Sequence, residues 1–142
     1  MWTNAGEISG DGIDNDGNGL IDDVYGADYV ANDGDPMTVD SHGTHCAGLI
    51  AAVGNNGLGI AGVAWSGAQI MALRFIDGTS GSLSDAIQCI DYAIAKGAKV
   101  INASYGSTSR SDTGSDSEAA AIYRAQQSFT IVTGKQIGRA HV

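Results

Sequence analysis

The sequence predicts an α/β fold, a parallel sheet with helices on both faces. Two observations carry this expectation. Short apolar runs of buried-strand type, at 69–74, 99–103 and 129–132, alternate with longer stretches of helical periodicity. That order calls for crossover connections rather than hairpins. A hydrophobic content of 43% with 21 glycines in 142 residues also describes a compact, turn-rich chain, long enough to bury a core.

Each element has a local reason. Residues 10–40 are rich in Gly, Asp and Asn, hold the only proline, Pro36, and read as loop. An apolar helix opens at His42 and continues through Leu49, Ile50, Ala51, Ala52 and Val53. It is expected to end near Gly54-Asn55-Asn56-Gly57, where Gly and Asn tolerate left-handed backbone. Residues 69–74 follow as a buried strand. Ser82 and Asp85 can cap a helix whose apolar face is Ile87, Ile90, Ala93 and Ile94, and which Gly97 stops. Residues 99–103 are the next strand. Ser115 and Glu118 form a capping-box pattern opening a third helix to Gln127, and 129–132 reads as a strand. There is no internal repeat.

Charge excludes several functions. Sixteen acidic residues against seven basic ones give a net charge of −9, which argues against binding nucleic acid or an anionic membrane. No apolar run approaches a membrane span. The start, Met1-Trp2-Thr3-Asn4, lacks the basic and apolar regions of a signal peptide. Two cysteines make no disulfide framework, and Cys46 and Cys89 are both expected as small buried thiols.

The acidic residues crowd between Asp11 and Asp40. Within that stretch, Asp14-Asn15-Asp16-Gly17-Asn18-Gly19-Leu20-Ile21-Asp22 places oxygen side chains at alternate positions before a glycine. This is the first part of an EF-hand-like loop, in which a turning backbone brings every second side chain onto one centre. Asp14, Asp16, Asn18, the Leu20 carbonyl and Asp22, with water, could supply the six to eight oxygens that Ca²⁺ takes. Tyr25 stands where the bidentate glutamate of an EF-hand would be, with Asp23 able to compensate in part. Asp-Gly and Asn-Gly are also ordinary turn dipeptides, so a plain turn is the competing reading.

His42-Gly43-Thr44-His45-Cys46-Ala47-Gly48 is the segment that carries chemistry. Helix propensity does not favour two histidines and a threonine in a first turn. A zinc pair is a weak explanation. Zinc helices show His-Glu-x-x-His with a third ligand, whereas Gly43 and Thr44 intervene here and the only other histidine is His141. The segment, preceded by Asp40-Ser41, resembles the histidine motif of the subtilisin-like serine proteases, the subtilases. That resemblance implies the subtilisin-like α/β fold and serine endopeptidase activity through an Asp-His-Ser triad. His42 would then be the general base, taking the proton of the nucleophilic serine and returning it to the leaving amine. His45 would point toward packing.

The resemblance extends through the middle of the chain. Ser104-Tyr105-Gly106 is similar to the family's Ser-Leu-Gly, which pairs with the substrate backbone, and Tyr105 is a departure from it. Residues 78–82, with Ser80 and Gly81, match the loop on the other side of the substrate channel. A peptide between two such edges adds as a strand. The resemblance further implies a protein or peptide substrate, structural Ca²⁺, secretion, and a monomer in the full-length form.

The family's aspartate lies in an Asp-[Ser/Thr]-Gly context after an apolar strand, and its serine in Gly-Thr-Ser-Met/Ala. Neither context occurs, since Gly78-Thr79-Ser80 runs on into Gly81. Residues 1–133 are therefore expected to be a subtilase catalytic domain truncated at both ends, with no activity of its own. Residues 134–142 read as a non-native tail resembling a translated sequencing adapter. The alternative from another class is a non-catalytic, calcium-binding or protease-like module.

Overall fold

The computed structural model describes residues 1–106, 115–128 and 131–133, and divides the chain into two compact units, 1–80 and 81–142. The strand expected at 129–132 and the tail at 134–142 lie wholly or partly outside the described residues.

The first unit is built on a parallel pair. Strand β1 (Gly26–Asp28) runs beside β2 (Ala72–Arg74) in the register Gly26↔Ala72, Ala27↔Leu73, Asp28↔Arg74. β2 is the C-terminal half of the run read as a strand at 69–74. β1 was not expected, because 10–40 read as loop throughout. All three β1 residues are buried, and its only apolar side chain is the small Ala27. Gly26 explains why a residue without a side chain opens the strand. Its φ is +145°, and a Cβ there would fall 1.7 Å from the Ala72 carbonyl oxygen. The hydrogen bonds Trp2 N–H to Ile70, Asn4 N–H to Val24 and Ala72 N–H to Tyr25 sew the N-terminal residues and the acidic loop to this pair.

Asp28 fixes the end of β1. It is 1% exposed; one carboxylate oxygen accepts the Val30 and Ala31 amides, and the other accepts Arg74 Nη1 at 2.5 Å. Arg74 also reaches Asp77 at 2.9 Å, and the bond to Asp28, with both acidic neighbours, holds its guanidinium above its ordinary pKa. Removing one partner of a buried pair leaves the other uncompensated. Arg74 retains Asp77 and some solvent, so we expect Asp28→Ala to cost about 2 kcal/mol, at the lower end for a charged hydrogen-bonded group. Urea unfolding measures this. A change below about 0.5 kcal/mol, the level of an ordinary surface substitution, would show that the pair does not organise the unit.

Helix α1 (Ser41–Ala51) follows the acidic loop, with Asp40 as its N-cap. It stops three residues before the expected Gly54 because another segment takes its end carbonyls. The amides of Gly62, Val63 and Ala64 donate to Ala52, Leu49 and Ile50, and Ala52 is extended. Gly62 must stay bare, since a Cβ there would lie 2.4 Å from the Ala52 nitrogen. Helix α1 carries no buried residue. Strands β3 (Ile76–Asp77) and β4 (Ser80–Gly81) form a short two-stranded ladder.

The second unit packs two helices and a parallel pair. Helix α2 (Leu83–Ala95) has Ser82 as N-cap, accepting the Asp85 amide at 3.4 Å, and is followed after its C-cap Lys96 by Gly97 at φ +76°, which turns the chain away. Both ends agree with the sequence. Helix α3 (Ser115–Gln127) packs on α2 through Ile90, Ala121 and Ala125, with Ile87, Ile94, Ile101 and Ile122 around them. Alanine at 121 and 125, both 0% exposed, lets the two helices approach closely. Arg124 clamps Asp91 with three hydrogen bonds of 2.8–3.1 Å, though in an exposed position where ion pairs contribute little. Strand β5 (Val100–Asn102) pairs in parallel with β6 (Ile131–Thr133). The architecture is α/β, with parallel pairing in each unit.

Candidate active site and acidic loop

His42 stands at the first turn of α1, where chain direction and capping fix it. The Asp40 carboxylate accepts the His42 amide at 2.8 Å, so this aspartate ties off the helix start. An aspartate just before the first helical residues is the cap signal, and Asp40 carries it. The His42 side chain is exposed. One turn on, Cys46 Sγ lies 3.7 Å from His42 Nε2, as residues four apart on a helix must share a face. Capping thus fixes the His42 backbone, the Cys46 thiol lies beside its ring, and the exposed ring remains open to a reacting group.

Two expectations change here. His45 is exposed rather than packed, because α1 buries none of its side chains. Cys46 is only half-buried, while Cys89 is buried in α2 as expected. Thiol reactivity follows access. In the folded chain a disulfide reagent should therefore label Cys46 readily and Cys89 only on unfolding. Equal labelling rates in native buffer would contradict this placement.

Ser80 and Gly81 are exposed in β4. In the second unit Ser104 and Gly106 are exposed just beyond β5, with Tyr105 half-buried between them. Asn102 Nδ2 donates to Ser104 Oγ at 2.7 Å. The Tyr105 hydroxyl donates to Glu118 Oε1 at 3.0 Å. Glu118, expected as a capping partner on α3, thus carries a contact that helix patterning did not reveal.

The acidic loop closes around Asp14. Its carboxylate accepts the amides of Gly17, Asn18 and Gly19 at 2.7–3.1 Å, curling 14–19 around one side chain. Glu7, Asp14 and Asp16 bring one carboxylate oxygen each within 4.8 Å of one another. Glu7 Oε1 accepts the Asn15 and Asp16 amides at 2.9 and 3.1 Å, whereas its Oε2 is buried with no partner among the described residues. Asp16 Oδ2 accepts Asn4 Nδ2, which also donates to the fully buried Asp23.

The other loop residues are engaged elsewhere. Asn18 accepts the Leu20 amide and donates to Asp23, and Leu20 is buried. Asp22, at φ 55°, turns its carboxylate onto the amides of Gly10 and Gly12 at 2.6 and 3.1 Å. Glu7 was missed because it lies seven residues before the loop and outside any ligand spacing. A buried carboxylate oxygen without a donor, beside two further carboxylates, fits a hard cation with oxygen ligands.

The geometry thus places an exposed histidine, His42, at the head of a capped helix in the segment His-Gly-Thr-His-Cys-Ala-Gly. Comparison with known proteins makes this specific. The Peptidase S8 model, the subtilase family, matches residues 5–134, and the chain belongs to that family. It is 47% identical over 103 residues to subtilisin-like protease 1 of Plasmodium vivax, covering 72% of this chain and 16% of that protein. It is 49% identical over 86 residues to thermitase of Thermoactinomyces vulgaris, covering 60% of this chain and 30% of thermitase. It is 42% identical over 86 residues to the halolysin-like extracellular serine protease Nep of Natrialba magadii, covering 58% of this chain and 16% of Nep. The chain thus spans less than a third of each of these relatives. Among the described residues no helix is long and apolar enough to cross a membrane.

Proposed function

We propose that the protein carrying this chain is a secreted serine endopeptidase, acting on protein or peptide substrates through an acyl-enzyme, with His42 as general base. The observation that carries the reading is His42 itself, exposed at the head of a helix capped through Asp40, in a chain of the subtilase family. Its imidazole takes the proton from a serine hydroxyl as that oxygen attacks the scissile carbonyl, then gives it to the departing amine. Ser104, Tyr105 and Gly106, with Ser80 and Gly81, supply backbone edges along which an extended peptide lies. The fold of the full-length protein is the subtilisin-like parallel sheet covered by helices on both faces that family membership supports. Secretion is supported by the likeness to the extracellular protease Nep, and the full-length enzyme works as a monomer.

Ca²⁺ is structural in this reading, and Glu7, Asp14 and Asp16 would hold it. The Leu20 carbonyl and Asn18 belong to the same loop, while Asp22 acts as a clamp on Gly10 and Gly12. In this reading the 142-residue chain has the base and the substrate edges but no serine in the family's Gly-Thr-Ser-Met/Ala context, so it should not hydrolyse peptides. Active-site labelling tests the proposal. A serine-directed phosphonate should inactivate the full-length protein stoichiometrically and leave the 142-residue chain unlabelled. Stoichiometric labelling of Ser80 or Ser104 would overturn the inactivity of the 142-residue chain, and a full-length protein that turns over no peptide would favour a non-catalytic calcium-binding module.

A further inference from the structure

The edge at 104–106 is held from behind. Both donors of Tyr105 are engaged: its amide closes a tight turn onto the Ala103 carbonyl at 2.9 Å, and its hydroxyl donates to Glu118 Oε1 at 3.0 Å. Tyr105 is half-buried and Glu118 only 9% exposed, while Ser104 and Gly106 on either side are exposed. With the Tyr105 side chain tied to α3 and its amide closing a tight turn, Ser104 and Gly106 on either side remain the exposed residues of the segment.

Glu118 is well placed for this task. It lies in the first turn of α3, three residues before Ala121, which with Ala125 is fully buried against Ile90. A helix packed on another helix, rather than a loop, therefore sets the position of its carboxylate. Burial, and then the Glu118 charge, push the Tyr105 phenol above its ordinary range, so the hydroxyl stays protonated and donating through neutral and alkaline pH. A hydrogen bond to a carboxylate is stronger than one between neutral groups.

We propose that Glu118 is a positioning residue, holding the backbone of 104–106 through the Tyr105 hydroxyl in the one conformation with which a peptide backbone pairs. The proposal rests on the reading of 104–106 as a substrate edge. It gives a purpose to tyrosine at a position where the family pattern has leucine: the side chain ties the edge to α3 through a polar contact that leucine could not make.

Steady-state kinetics on the full-length protease, normalised by active-site titration, provides the test. Two substrates are compared: an extended peptide that runs along the edge, and a single-residue ester that does not reach it. Glu118→Ala should raise KM for the peptide about tenfold relative to KM for the ester, a tenfold change being 1.4 kcal/mol. Tyr105→Phe removes only the hydroxyl and should do the same, so the result does not hang on one variant's folding. Glu118→Gln keeps an oxygen that accepts the hydroxyl, and should return the ratio to within about twofold of the parent. A ratio left within about twofold of the parent by Tyr105→Phe overturns the proposal, as does an equal loss on both substrates. A parent enzyme with no KM advantage for the peptide would instead show that the edge reading is wrong, and the positioning role would fall with it.

Discussion

His42→Ala in the full-length protease should abolish peptide hydrolysis, by about 10⁶-fold in turnover, the scale of loss when the triad histidine or serine of subtilisin is removed. The serine hydroxyl would then keep its proton during attack, and no group would be placed to protonate the leaving amine. Folding should be spared. The His42 ring is exposed, its amide bond to Asp40 does not depend on the side chain, and alanine is a good helix former. Thermal stability should change by no more than about 0.5 kcal/mol, as for an exposed substitution. His45→Ala is the control, since His45 is also exposed on α1 and should leave turnover within a few-fold of the parent. Turnover measured with a peptide anilide, alongside thermal melting, separates these outcomes. Equal loss of turnover in both variants with unchanged melting would mean that the base has been misassigned.

The helices of the second unit were legible because their signals are local. Ser82 and Gly97 bracket α2, and Ile87, Ile90, Ala93 and Ile94 recur at helical spacing, so periodicity and capping agree. The β1 strand was illegible for the opposite reason. Gly26-Ala27-Asp28 has no β-branched or aromatic residue, and its place is decided by pairing with Ala72-Leu73-Arg74, more than forty residues away. Asp28 would count against a strand by propensity, yet it is buried there because Arg74 meets it. The end of α1 failed likewise, since Gly54 and Gly57 mark a stop that the amides of 62–64 impose earlier.

At the site, sequence spacing found what lies close in the chain. His42, its helix and the curl around Asp14 follow from contiguous residues. Contacts made across the fold were not readable. Glu7 reaches back onto Asn15 and Asp16, and Glu118 is thirteen residues from Tyr105. Asp22 sits at an EF-hand ligand position, but its left-handed backbone sends the carboxylate to Gly10 and Gly12 instead.

That rearrangement makes the calcium prediction specific. Three carboxylates with oxygens within 4.8 Å of one another repel, and the buried Glu7 Oε2 lacks a donor, so the native loop is incompletely compensated on its own. A cation that binds the folded loop and not the unfolded chain stabilises by mass action, by roughly 2.7 kcal/mol at a hundredfold excess over its dissociation constant. The full-length protein should therefore melt at a higher temperature in Ca²⁺ than in chelator. Glu7→Gln and Asp14→Asn should remove most of that difference, because each takes away a charged oxygen ligand from the cluster. Asp22→Asn should behave differently. It weakens the clamp on Gly10 and Gly12, lowering stability in both conditions by a similar amount while the calcium increment persists. Calorimetric titration with Ca²⁺ alone checks the same point through affinity. If Asp22→Asn abolished the increment and Glu7→Gln left it intact, the ligands would be those of the EF-hand spacing. If chelator left the melting temperature unchanged in the parent, the loop would be only a turn, closed by Asp14 and needing no ion.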